Sequence, residues 1–196
     1  MIRLFVALRP PLAIRDSLAD LMDHVPGARW QSDEQLHVTL RFVGEVDRHQ
    51  GEDLAAALAS LHAPAPQVAL SGVGQFGRGG RADTLWAGLA PAAPLAHLAA
   101  KVEQACRRAG LPPETRAYRP HVTVARLPRS LGGAPEVERW CRDHAGLASA
   151  PAPLPHLILY QSHLGHEGAM YEPVARWPLE PGPDPERLTM ESQGEH

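Results

Sequence analysis

The tripeptide His-Val-Thr occurs twice in this chain, at residues 37 to 39 and 121 to 123, 84 positions apart. Moving the first half of the sequence along by that interval lays a buried-strand pattern at residues 2 to 8 on residues 86 to 92. It also lays the helical stripe of residues 11 to 25 on 95 to 109, and an Ala/Leu helix at 51 to 62 on 135 to 146. Elements land on counterparts of their own type, so the chain reads as a duplicated unit of strand, helix, HVT strand, helix and strand. The expected fold class is α+β, with two pseudo-two-fold-related lobes, each an antiparallel sheet with helices on the outside, around a central cleft. The repeats span about residues 2 to 73 and 84 to 178 within one two-lobed domain of residues 1 to 179. The polar, proline-rich residues 180 to 196 read as a disordered tail.

Local signals fill in this frame. Pro10-Pro11 opens a helix whose apolar stripe is Leu12, Ile14, Leu18, Leu21, Met22 and Val25. Residues 36 to 43 alternate as a strand stopped by Gly44. Strands at 67 to 73 and 84 to 89 are joined by GQFGRGGRAD, read as a mobile loop with two arginines. Its GRGG stretch lacks the GxxxxGK[ST] pattern of a phosphate cradle and reads as a plain hairpin link. A helix at 95 to 109 stops at Gly110, a strand covers 121 to 127, a helix 135 to 144, and strands at 157 to 161 and 171 to 177 close the domain.

A chain of 196 residues, 44% of them hydrophobic, can build a core without metal or disulfide staples. The two cysteines, Cys106 and Cys141, have no Cys-x-x-Cys spacing, which fits a reducing cytosol. No stretch approaches about 20 apolar residues and the start lacks a signal-peptide pattern, so a cytoplasmic, monomeric protein without a membrane partner is expected. Charge is unevenly placed: residues 76 to 129 hold nine basic residues against three acids, and 18 of the 19 basic residues are arginine, whose planar fork suits phosphate.

Side chains i and i+2 of a strand share a face, so His37 with Thr39, and His121 with Thr123, each present an imidazole beside a hydroxyl. Chance predicts about 0.3 His-x-Thr pairs from 11 His and five Thr, against two observed at equivalent places of the repeat. One such pair alone reads as a half-exposed strand; two placed symmetrically read as a site. Histidine titrates near pH 6.5, so of two imidazoles in one cleft one can hold a proton while the other lacks it. Threonine hydroxyls can donate to non-bridging phosphate oxygens, and an arginine can offset the charge of a transition state. That set suits in-line phosphodiester cleavage. Strand parity favours Arg41 as the arginine, unless the second strand ends or bulges before Arg126.

The motifs HVTL at 37 to 40 and HVTV at 121 to 124 resemble the signature of the 2H phosphoesterase superfamily. More narrowly, RLFVALRPP, HVTLRFVGEV, RPHVTVARL and LYQSHLGHEGAMYEPVARWPL resemble the bacterial and archaeal RNA 2′,3′-cyclic phosphodiesterases, also called 2′-5′ RNA ligases. The resemblance implies hydrolysis of 2′,3′-cyclic phosphate ends to 2′-phosphates, with no cofactor and no metal, and reverse 2′-5′ ligation as a side activity. It makes His37 the proton donor to the departing 3′ oxygen, His121 the base that activates water, and Thr39, Thr123 and Arg126 the phosphate ligands. Arg126 then requires a broken strand, and Arg41 becomes a rim residue. The partners implied are RNA 3′ ends or small cyclic-phosphate nucleotides. Phosphodiester cleavage of small cyclic nucleotides or 2′-5′ oligonucleotides, and RNA-end binding without catalysis, stand beside this reading. Phe5, Phe42 and Tyr118 could stack on a terminal base. His163 and His166 lack a carboxylate at ligand spacing, so no metal site is read there.

Overall fold

The computed structural model describes residues 1–165 and 168–182. Its strands are β1 (Ile2–Leu8), β2 (Arg29–Trp30), β3 (Val38–Val46), β4 (Gln67–Arg78), β5 (Arg81–Ala90), β6 (His121–Arg126), β7 (Ala152–Pro153), β8 (His156–Gly165) and β9 (Gly168–Pro178). The helices are α1 (Leu12–Ala19), α2 (Arg48–Ala59), α3 (Ala92–Arg108) and α4 (Pro135–Asp143). The fold class is the expected α+β.

Each helix carries one apolar stripe, and all four stripes enter a single core: Ile14 and Leu18 from α1, Leu54 and Leu58 from α2, Leu95, Leu98 and Val102 from α3, Val137 and Trp140 from α4. They pack on the sheet side that presents Leu4, Val6, Leu8, Val38 and Val122. Burying each such Leu or Val side chain is worth about 1.5–3 kcal/mol. A smaller cluster of Phe5, Ala7, Ile158 and Tyr160 occupies the opposite face. Strand β1 is therefore apolar on both sides.

All strand pairs are antiparallel, and the order is β7-β4-β5-β6-β3-β1-β8-β9, with β2 also on β6. The two HVT strands stand at the centre, each flanked by the opening strand of its own repeat, β3 by β1 and β6 by β5. The closing strands are exchanged: β4, from the first half of the chain, pairs with β5, and β8, from the second, pairs with β1. The lobes in space are thus not the halves in sequence, and the two sheets join edge to edge through β3 and β6. The reason is local. Gly79 and Gly80, at φ of 59° and 75°, make a two-residue turn that folds β5 straight back on β4.

Three other expectations give way to tertiary context. The link GQFGRGGRAD is strand on both sides of that turn, because the hairpin ladder runs from Arg78↔Arg81 back to Ala69↔Ala90. Helix α1 ends at Ala19; Leu21 and Val25 are buried from a loop in which His24 takes a φ of 65°, and Pro26 disfavours a helical Val25. Gly44 does not stop β3 but sits at a bulge with a φ of 88°, beyond which Glu45 and Val46 still pair with β1. Of the expected disordered tail, residues 183 to 196 lie outside those described; Glu180 is docked by backbone hydrogen bonds to Ala63 and Ala65. Among the described residues no helix is long and apolar enough to cross a membrane.

Candidate active site

Strand β6 shows how the sequence aims one half of the site. Alternation buries Val122 and Val124 and turns His121 and Thr123 to the other face. The ladder with β5 then slips, Thr123 facing Trp86 but Ala125 facing Leu85. Val124 and Ala125 are both buried, so this bulge restarts the alternation and returns Arg126 to the face of His121 and Thr123. Strand β3 repeats the device. Leu40 and Arg41 are both buried at a slip in the ladder with β1, and Phe42 emerges at the place equivalent to Arg126.

The two strands meet at Val38↔Val122. Both valines are fully buried, so the neighbours on either side of each, His37 with Thr39 and His121 with Thr123, lie together on the cleft face. Antiparallel pairing runs the two motifs in opposite directions through this point, which sets each histidine beside the other motif's threonine.

The imidazoles are oriented alike. His37 Nδ1–H donates to the carbonyl of Gln35 at 2.6 Å, and His121 Nδ1–H donates to the carbonyl of Arg119 at 2.7 Å. Each acceptor is two residues upstream, and each bond leaves Nε2 as the reactive nitrogen of a neutral ring. Gln35 is itself clamped: its side chain donates to the Ala169 carbonyl of β9 at 2.7 Å and accepts from the Ser32 N–H at 2.9 Å.

Aromatic walls hold both rings. Phe5 and Tyr171 lie 4.9 and 5.1 Å from His37, centroid to centroid, and Phe76 and Trp86 lie 4.9 and 6.2 Å from His121. Burial among these groups disfavours the charged imidazole. It holds His37 down to about 4, and the neighbouring His121 and the Arg126 charge act in the same direction. His121 is lowered too, by burial first and by Arg126 after it. One guanidinium thus acts on both histidines. Arg126 is steadied by donating to Thr84 Oγ1 at 2.7 Å, whose hydroxyl donates to Asp83 at 2.7 Å.

A cavity of about 690 Å³ opens beside Thr39 and His121, walled by Phe42, Phe76 and Tyr118 and floored by the alanine face of α3 at Ala96, Ala99 and Ala100. Phe42 and Tyr118 therefore stand where a base could lie. Phe5 does not: it is 3% exposed and packs under His37, a wall rather than a stacking platform. Arg41 does not share the face of His37 and Thr39, but it does line the wall of this cavity, held there by its partners. The bulge at Leu40 turns it inward, where it ion-pairs with Glu103 at 2.8 Å and donates to the Pro112 carbonyl at 2.6 Å.

Sequence reasoning singled out neither Phe76 and Trp86, which carried no motif, nor Tyr160 and Tyr171, which lie unremarked in the closing segment LYQSHLGHEGAMYEPVARWPL. Phe76 was hidden in the presumed loop. Their signal lies in the ladder, where Phe76 and Trp86 sit on the strands that end up beside His121. His163 pairs with Glu172 at 2.9 Å, and His166 lies outside the described residues. Among the described residues no group of three or more His, Cys, Asp or Glu is arranged to hold a metal ion.

A sheet with one His-x-Thr strand on each side of its centre is the arrangement that resemblance to the 2H phosphoesterase superfamily implies. The chain belongs to the 2′-5′ RNA ligase superfamily, whose family model matches residues 10–165. It is 32% identical over 174 residues to an RNA 2′,3′-cyclic phosphodiesterase of Geobacillus stearothermophilus, covering 88% of this chain; it spans only 54% of that relative's length. It is 30% identical over 160 residues to an RNA 2′,3′-cyclic phosphodiesterase of Aeropyrum pernix, covering 81% of this chain and 89% of the relative. Among solved structures, apo LigT of E. coli superposes with a TM-score of 0.70 at 26% identity, covering 91% of this chain and 98% of LigT. LigT has also been crystallised with 3′-AMP, in a structure that gives a TM-score of 0.68.

Proposed function

We propose that this protein hydrolyses RNA 2′,3′-cyclic phosphate ends to 2′-phosphates, with His37 and His121 as the acid and base and no metal or nucleotide cofactor. The observation that carries the reading is the equivalence of the two half-sites about Val38↔Val122: two imidazoles anchored through Nδ1 to carbonyls at 2.6 and 2.7 Å, each beside a threonine. Both lie near enough to Arg126 for its charge to act on each ring.

In the reaction, neutral His121 takes a proton from water through Nε2 as the water oxygen attacks phosphorus. The bond from phosphorus to the 3′ oxygen breaks on the opposite side, and protonated His37 delivers its proton there. Thr39 and Thr123 donate to the non-bridging oxygens, and Arg126 offsets the charge that builds on them. Burial favours neutral His37 in the free protein. A bound phosphodiester brings the negative charge that favours the imidazolium, so substrate itself assembles the protonated donor. With a 5′-hydroxyl in place of water as the attacking group, the same site opens such an end to a 2′-5′ linkage, the 3′ oxygen leaving as before, a side activity in this reading.

The cavity beside His121 gives the ribose and base of the terminal nucleotide a place against Phe42 and Tyr118. The test is incubation of a cyclic-ended oligonucleotide in EDTA with analysis of the product. A 2′-phosphate is expected. A 3′-phosphate would reverse which oxygen leaves, and turnover that depends on added zinc or manganese would overturn the metal-free mechanism.

A further inference from the structure

Arg29 of β2 lies directly opposite Arg126 of β6. Directly opposed residues of an antiparallel pair project to the same side with Cβ atoms about 4.5–5.5 Å apart, and like charges so placed destabilise a sheet. Neither arginine has a carboxylate within ion-pair distance among the described residues, and the side-chain hydrogen bond of Arg126 goes to the neutral hydroxyl of Thr84. The side of β2 from which Arg29 projects is set by its neighbours. Its neighbour Trp30 pairs with buried Ala125 and turns inward against Trp140, with rings 6.2 Å apart, and the Gln31 N–H donates to the Val124 carbonyl at 2.9 Å.

Strand β5 occupies one edge of β6, so β2 and β3 share the other. Phe76, Thr84, Arg126 and Arg29 are consecutive register partners across β4, β5, β6 and β2, a row that crosses the cleft face and ends in an exposed, unpaired guanidinium. A second cation one strand beyond the first, projecting from the same face, has the chemistry of a site for a second phosphate.

We propose that Arg29 binds the internal phosphodiester next to the reacting one, while Arg126 holds the reacting phosphate. The proposal rests on the proposed activity and deepens it: the preferred substrate is an RNA end of at least two nucleotides, not a cyclic mononucleotide.

The experiment compares two probes by titration calorimetry, 3′-AMP with one phosphate and the 3′-phosphorylated dinucleotide ApAp with two, on the wild type, Arg29→Gln and Arg29→Lys. The dinucleotide is expected to bind at least about tenfold more tightly than 3′-AMP to the wild type, and Arg29→Gln to remove most of that advantage. Arg29→Lys keeps the charge and restores part of it. The salt dependence of dinucleotide binding should also fall in Arg29→Gln, because one phosphate contact is lost. Equal weakening of both probes by Arg29→Gln, or no change in their ratio, overturns the subsite. Parallel turnover assays on the cyclic forms of both probes separate the two claims. No hydrolysis by the wild type overturns the proposed activity, while the binding ratio still decides the role of Arg29.

Discussion

Val38 and Val122 are direct cross-strand partners at the centre of the sheet, and both are fully buried. That single apolar pair brings two motifs 84 residues apart in sequence onto one surface, because whatever flanks it must face the cleft. Losing the bulges that follow it would leave the histidines in place and turn Arg126 away.

The two arginines of the motifs should separate cleanly in experiment. Arg126→Ala removes the cation that reaches both histidines and is expected to lower kcat/KM by about 10²-fold, in line with loss of one charge-stabilising group. Arg41→Ala removes the buried partner of Glu103 and of the Pro112 carbonyl. Its expected effect is on stability, about 1–3 kcal/mol, with turnover reduced less than by Arg126→Ala. Steady-state kinetics beside urea denaturation would read this, and the reverse order of kinetic losses would return Arg41 to the site.

The pH dependence follows from the direction of both shifts. Turnover needs one ring protonated and one neutral, so kcat/KM rises with pH through the lower value, about 4 for His37, and falls through the other, which burial also places below the usual 6.5. The profile of the free protein should be bell-shaped and centred on the acid side of 6.5. Arg126→Gln removes a charge that opposes protonation of either ring, so both limbs should move to higher pH. A profile centred above 7 in the wild type, or an acidward move in the variant, contradicts this.

Gly74 supplies a third prediction. A Cβ at this position would lie 2.3 Å from Cζ2 of Trp86, so the indole rests where only glycine leaves room. Gly74→Ala should push Trp86 off its place beside His121 and lower kcat more than it raises KM. Tryptophan fluorescence would show the displaced ring, and an alanine variant with native emission and native kcat would remove Trp86 from the account.

The repeat made the fold class legible and singled out His37, Thr39, His121 and Thr123 as candidates that the sheet brings together about Val38↔Val122, because a shift of 84 residues aligned whole elements as well as motifs. Arg126 could be read only through family resemblance, since a bulge erases strand parity and no residue pattern in HVTVAR announces one. The exchange of β4 and β8 between lobes was not legible, because it depends on a glycine turn inside a segment that looked like a loop. The same misreading concealed Phe76. The alternation rule, which assumes an unbroken ladder with β1, puts Arg41 on the face of His37, whereas the slip there sets it in the cavity wall beside Glu103; Phe5 is covered because β1 is buried on both faces.

The most direct test of the central claim is single-turnover kinetics of His37→Ala, His121→Ala and the double variant on a cyclic-ended oligonucleotide in EDTA. Acid and base acting on one phosphorus predict a loss of at least about 10²-fold for each single variant, and a double variant within about tenfold of the slower single. A loss below tenfold for either histidine, or a double variant whose loss is the full product of the two, would mean that the rings do not serve one reaction.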